Sequence, residues 1–270
     1  MSGQGAAGSA PAGRGAPDAA DGVVVDGVLF DIDDTLVDLE GAMGHTLQAI
    51  PDPSLDHLSD DDWARYKALY TTDPQRHYDR FLAGDVTFEE QRVHRVRHAR
   101  AAFTADPFVG HLAEAWVRAY ERTLPLHFRA YDDVGPLLDE LDARGVPYGA
   151  VSNNVHDYQR AKLDHAGLQR VATLVGIDTV GVAKPDPAIY HEGARLLGTA
   201  PARTLYVGDN RLIDAVGARS AGLVGVWLDR AGTGRGTGTD GGSAADAGPM
   251  PDVPRIGDLW PVLQFLPSVR

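Results

Sequence analysis

Five short apolar runs leave this chain few ways to fold. They are residues 28–32 (VLFDI), 146–152 (VPYGAVS), 174–177 (LVGI), 204–207 (TLYV) and 224–228 (VGVWL). Runs this short and this continuously apolar suit strands buried on both faces of a parallel sheet. The segments between them carry a helical period. Leu137, Leu138 and Leu141 form one stripe, closed by Gly145; Ile189, Leu196 and Leu197 form another, closed by Gly198. Glycine after the last apolar position is a common helix stop. Ile213 and Val216 begin a further stripe. Strands alternating with helices predict an α/β fold with a doubly wound parallel sheet.

One connection breaks the rhythm. About 100 residues separate the first run from the second, far more than a strand-to-helix connection needs. Helical stretches around residues 63–70, 88–103 and 109–124 predict that this insert is a small helical domain over the sheet edge, a cap. The expected division is a core of residues 23–40 and 126–270 with a cap at 41–125. Residues 1–22 and 231–251 are rich in Gly, Ala, Pro and Ser, and read as a disordered leader and a flexible loop within the core.

In open α/β sheets, ligands bind beyond the carboxyl ends of the strands. The polar residues there are Asp31, Asp33, Asp34 and Thr35 after the first run, then Ser152, Asn153 and Asn154 after the second. Lys184 follows the third, and Asp209 and Asp214 follow the fourth. Several carboxylates crowded together cannot all ionise without a counter-charge. A hard divalent cation with oxygen ligands resolves the conflict, and Mg²⁺ commonly keeps a substrate phosphate in its shell. The residues thus suggest a metal and a phosphate together.

The segments FDIDDTLVD, VSNN, AKPDPAIY and VGDNRLID resemble, in order and spacing, the four motifs of the haloacid dehalogenase superfamily. The resemblance spans residues 23–228, and the position of the insert is similar to that of the superfamily's helical C1 cap. It implies a phosphatase mechanism. Asp31 is then the nucleophile, forming an aspartyl-phosphate, and Asp33 protonates the leaving oxygen and later activates water. Asp31, Asp209, Asp214 and the backbone carbonyl of Asp33 bind Mg²⁺. Thr35, Ser152, Asn153 and Lys184 hold the phosphoryl group, and Lys184 also offsets developing charge. Dehalogenases of the superfamily lack an aspartate at the place of Asp33, so its presence favours phosphate chemistry. Asp34 stands where glycine is common, and Ile213 where asparagine is common.

The implied substrate is a small phosphorylated metabolite: a nucleoside monophosphate, a sugar phosphate or a phosphoglycolate-like ester. Two rivals remain open, a phosphomutase of the β-phosphoglucomutase kind and an inactive binding protein on the same fold. Within the insert lies a basic cluster of Arg92, His94, Arg95, Arg97, His98 and Arg100. It reads as a solvated helix face, or else one or two of these cations meet an anionic part of the substrate. Arg92 and Arg95, which share a face, are the pair in question.

Bulk properties set the outer limits. A formal charge of -13 argues against a nucleic-acid polymer as partner. The absence of cysteine excludes disulfides and thiol nucleophiles. No apolar run approaches the roughly 20 residues needed to cross a bilayer. The expectation is a cytoplasmic protein without membrane contact, a monomer or homodimer.

Overall fold

The computed structural model describes residues 24–232 and 252–267. The predicted leader and most of the predicted flexible loop lie outside the described residues. Strand β1 (Gly27–Phe30) is followed by five helices: α1 (Leu39–Ala49), α2 (Asp60–Thr71), α3 (His77–Leu82), α4 (Phe88–Arg100) and α5 (His111–Thr123). Then come α6 (Val134–Arg144), β2 (Tyr148–Val151), α7 (His156–His165), β3 (Thr173–Val175), α8 (Ile177–Val180) and α9 (Pro187–Leu197). The described chain closes with β4 (Thr204–Gly208), a π-helical turn (Arg211–Val216), α10 (Gly217–Ser220), β5 (Val224–Leu228), β6 (Arg255–Ile256) and a 3-10 turn (Trp260–Phe265).

All six strands are parallel, in the order β3-β2-β1-β4-β5-β6. The order reverses between β1 and β4, which places a crevice at the carboxyl ends of those two strands. Their register, Phe30 beside Val207, carries Asp31 and Asp209 to the same edge.

The sheet's two faces follow from the two-residue period of a strand. Leu29, Val151, Val175 and Tyr206 point to one side, where they pack with Ile189 and Tyr190 of α9 and Ala218 of α10. Val28, Phe30, Ala150, Leu205 and Val207 point to the other, against Leu137, Leu138 and Leu141 of α6 and Leu163 of α7. That second cluster continues into the insert through Tyr66, Tyr70, Val96, Trp116 and Tyr120, so the insert and the sheet share one apolar core. Truncating a fully buried leucine such as Leu29 to alanine removes about 2–5 kcal/mol.

Local sequence explains the helix ends. Ser59 with Asp62, and Thr87 with Glu90, form reciprocal capping boxes that start α2 and α4. Asp186 caps α9 ahead of Pro187, and Gly145 and Gly198 end α6 and α9 in the left-handed conformation.

Two readings need correction, and one strand was not anticipated. The third run ends at Val175, and Ile177 begins a short helix instead of extending the strand. The stripe begun by Ile213 and Val216 is π-helical before it becomes α-helical. Strand β6, only two residues long, has too little apolar sequence to announce itself.

Candidate active site

Four chain segments converge at the carboxyl ends of β1, β2 and β4. Asp31 leaves β1 with its backbone N–H donating to the Val207 carbonyl at 2.9 Å, which locks it beside β4. Its carboxylate accepts from the Lys184 ammonium at 2.5 Å, and the same ammonium donates to Asp214 at 2.7 Å and to the Tyr206 hydroxyl at 3.0 Å. Asp31, Lys184, Asp209 and Asp214 are all buried.

The loop bearing Lys184 is held by Asn153. Its side-chain amide donates to the Lys184 carbonyl at 3.0 Å, and its side-chain oxygen accepts from the Lys184 N–H at 2.6 Å. Asp214 is set by Asn210, whose backbone N–H donates to it at 3.0 Å and whose side chain caps the N–H groups of Leu212 and Ile213. Asp214 comes so close to β4 that only glycine fits at position 208. A Cβ there would lie 2.3 Å from the Asp214 carboxyl carbon.

Burial pushes the Asp31 carboxyl up to about 7; Lys184 opposes this, and the neighbouring Asp214 and Asp33 add to it. Burial also works against the charge on Lys184, but Asp214 and Asp31 outweigh it and hold the ammonium well above its usual range. Two carboxylates thus lean on one ammonium, with a third, Asp209, alongside. One carboxylate oxygen from each of Asp31, Asp209 and Asp214 can lie within 4.8 Å of the others. Such a donor set, hard, anionic, buried and short of positive charge, fits Mg²⁺.

Asp33 lies apart from that trio and lines the same cleft. It forms an ion pair with Lys162, a lysine of α7 that is almost fully buried, and accepts from the Gln159 amide at 3.0 Å. Gln159 also donates to the Ser152 hydroxyl at 2.6 Å, linking Asp33 to the end of β2. Sequence reading missed Gln159 and Lys162, because on a short polar helix nothing distinguishes them from solvated residues.

Of the expected phosphoryl-binding groups, Ser152, Asn153 and Lys184 line the cleft. Thr35 does not. It is fully buried, and its hydroxyl accepts from the Asp209 N–H at 3.1 Å, joining the turn after β1 to the turn after β4. Asp34 has a φ of 56°, the left-handed region where glycine sits without strain. An aspartate tolerates it better than most residues, and here its side chain accepts from the Glu40 N–H at 2.9 Å.

The cleft measures about 210 Å³ and is walled on its other side by the insert. Tyr78 of α3 donates to the Asn153 carbonyl at 3.2 Å, and Arg92 of α4 donates to the Tyr158 hydroxyl of α7 at 3.1 Å. The solvated-face reading of the basic cluster fails for three of its members, since Arg92, Arg95 and Arg100 are buried.

Comparison with known proteins agrees with this geometry. The family model for haloacid dehalogenase-like hydrolases matches residues 25–222. A glyceraldehyde 3-phosphate phosphatase of Methanopyrus kandleri is 32% identical over 219 residues, covering 77% of this chain and 85% of the relative. A phosphoserine phosphatase of Thermus thermophilus is 38% identical over 149 residues, 55% of this chain; the match spans about half of that relative, 53%. An (S)-2-haloacid dehalogenase of Pseudomonas putida is 26% identical over 211 residues, 77% of this chain and 87% of the relative. With a family match across most of its described residues and the sheet order and clustered carboxylates to accompany it, the chain belongs to the haloacid dehalogenase-like hydrolases.

Proposed function

We propose that this hydrolase is a Mg²⁺-dependent phosphatase acting on a small phosphate monoester through an aspartyl-phosphate at Asp31. The observation that carries the proposal is Asp33. It lines the cleft with Asp31 and is held by Lys162 and Gln159, which supports its assignment as the proton donor to a leaving alkoxide. Displacing a halide requires no such group, so the same feature favours phosphate esters over haloacids.

The step balances on this chain's own residues. A carboxylate oxygen of Asp31 attacks phosphorus as the bond to the ester oxygen breaks, and Asp33, which enters the cycle protonated, gives that oxygen its proton. Water then attacks the aspartyl-phosphate, Asp33 takes the water's proton, and the Asp31 carboxylate is released with inorganic phosphate. Lys184 favours the ionised form of Asp31 against its burial and offsets charge on the phosphoryl oxygens, while Ser152 and the backbone around Asn153 orient them. Asp31, Asp209 and Asp214, with the Asp33 carbonyl, would hold Mg²⁺, which when bound supplies charge stabilisation to the transferring phosphoryl group.

Helices α1–α5 act in this reading as a cap that closes the site from water. Its direct bonds to the core, Tyr78 to Asn153 and Arg92 to Tyr158, give closure a physical basis. A phosphomutase would use the same pair of aspartates, and product analysis separates the two. The phosphatase releases inorganic phosphate from a sugar monophosphate, whereas the mutase returns an isomeric sugar phosphate and little free phosphate. Phosphate release from a panel of esters with Mg²⁺, absent with EDTA, tests the proposal.

A further inference from the structure

Among the described residues, Arg95 is a buried cation without a counter-ion. Its guanidinium donates to the carbonyls of Tyr70 at 2.9 Å and Thr71 at 3.3 Å, and lies 4.5 Å from the Tyr70 ring centroid. Its remaining contacts, the Gln91 side-chain oxygen at 3.5 Å and the Met43 sulfur at 3.7 Å, are long and neutral. Among the described residues no carboxylate comes within ion-pair distance of it, although it is only 8% exposed. Burying a charge is expensive unless something neutralises it.

Arg92, three residues earlier on the same face of α4, is little better supplied. Its single carboxylate partner among the described residues, Glu121, is 3.4 Å away on a side chain 44% exposed. Otherwise it contacts the Tyr158 hydroxyl and stacks on Phe88, 4.1 Å from the ring centroid. Both arginines line the cleft that also holds Asp31 and Lys184. They come from the insert, while the groups assigned to phosphoryl transfer come from the strand ends.

We infer that Arg95, with Arg92 beside it, receives a carboxylate at the end of the substrate remote from the phosphate, which makes the substrate class small phosphorylated carboxylic acids. A guanidinium matches a carboxylate through paired N–H donors, and the match strengthens where water is excluded. The cleft's other carboxylates would repel such a group, so it needs its own cations, and the arginines supply them. A volume of about 210 Å³ suits a chain of a few carbons between the two anions. The inference rests on the reading that the Asp31 cluster handles the phosphoryl group.

The test pairs esters that differ in the remote anion: O-phosphoserine with phosphoethanolamine, and phosphoglycolate with ethyl phosphate. With Mg²⁺, the wild-type protein should favour the carboxylated member of each pair by at least about tenfold in kcat/KM. In Arg95→Met that ratio should fall by about tenfold, chiefly through KM, and Arg95→Lys should recover part of it. A second measurement needs no turnover: calorimetric titration of the wild-type protein with phosphonoacetate and with methylphosphonate, neither of which is a phosphate ester. Phosphonoacetate should bind at least about tenfold more tightly. If esters are hydrolysed without preference for the carboxylated member, or if a bisphosphate is preferred, the inference is overturned and the phosphatase reading stands. If no ester is hydrolysed yet phosphonoacetate binds preferentially, the phosphatase reading falls and the carboxylate site stands. Equal binding of the two phosphonates, or none, overturns the inference without recourse to any variant.

Discussion

At the scale of single residues, two aspartates have different duties. Asp33 is assigned to protonate the leaving oxygen, so its removal should matter most where that oxygen leaves badly. In Asp33→Asn, kcat/KM for an alkyl phosphate, which reports the steps up to release of the leaving group, should fall by about 10²–10⁴-fold, and much less for p-nitrophenyl phosphate, whose leaving group needs no proton. Equal losses on both esters would contradict the assignment. Asp31 carries a stability cost. Burial raises its carboxyl to about 7, so ionising it opposes folding; that cost is absent below the ordinary carboxylate range and complete above about pH 7. In Mg²⁺-free buffer, Asp31→Asn should therefore raise the melting temperature, more at pH 8 than at pH 5, by roughly 2–4 °C for each kcal/mol relieved. A gain that did not change with pH would mean that Asp31 is not strained by its burial. Asp31, Asp33 and Asp209 were legible because each follows an apolar run at a strand end, and Lys184 and Asp214 because they fall in segments resembling the superfamily motifs. Lys162 was not, and Arg95 was legible as a candidate cation beside Arg92 but not as a buried one, because burial of a lysine or an arginine depends on packing between helices distant in sequence.

At the scale of elements, the turn after β4 shows how backbone and chemistry constrain one another. Gly208 leaves the space into which the Asp214 carboxylate folds, and the π-helical turn beyond it returns Asp214 towards Lys184. Gly208→Ala should cost about 1–3 kcal/mol of stability by overpacking and should weaken Mg²⁺ binding by displacing Asp214. A variant with wild-type stability and metal affinity, measured by thermal unfolding and calorimetry, would show that the close approach is dispensable. Strands β1, β2, β4 and β5 could be read from the sequence because they are apolar on both faces, which few other elements are. Helix α1 could not, since LEGAMGHTLQA carries two glycines and a weak stripe, and α3 has only six residues. Those two helices form where the insert packs, which no local pattern records.

At the scale of the whole molecule, the sheet and the insert share a continuous apolar core and enclose a small cleft. Bonds from Tyr78 and Arg92 cross between the two parts beside the site. A substrate must fit within that enclosure, so small phosphate esters should be hydrolysed at least about 100-fold faster than a phosphorylated protein or a 5′-phosphorylated oligonucleotide. Comparable rates on polymers, measured side by side, would mean that the insert does not close over the site. Among the described residues no helix is long and apolar enough to cross a membrane.

The central claim is that Asp31 attacks a phosphate ester at a Mg²⁺-dependent site. Phosphate release by wild type and Asp31→Asn, each with Mg²⁺ and with EDTA, tests it most directly. The wild type should release phosphate with Mg²⁺ and not with EDTA, and the variant in neither condition. Release that persists in Asp31→Asn, or that is indifferent to EDTA, would contradict the claim.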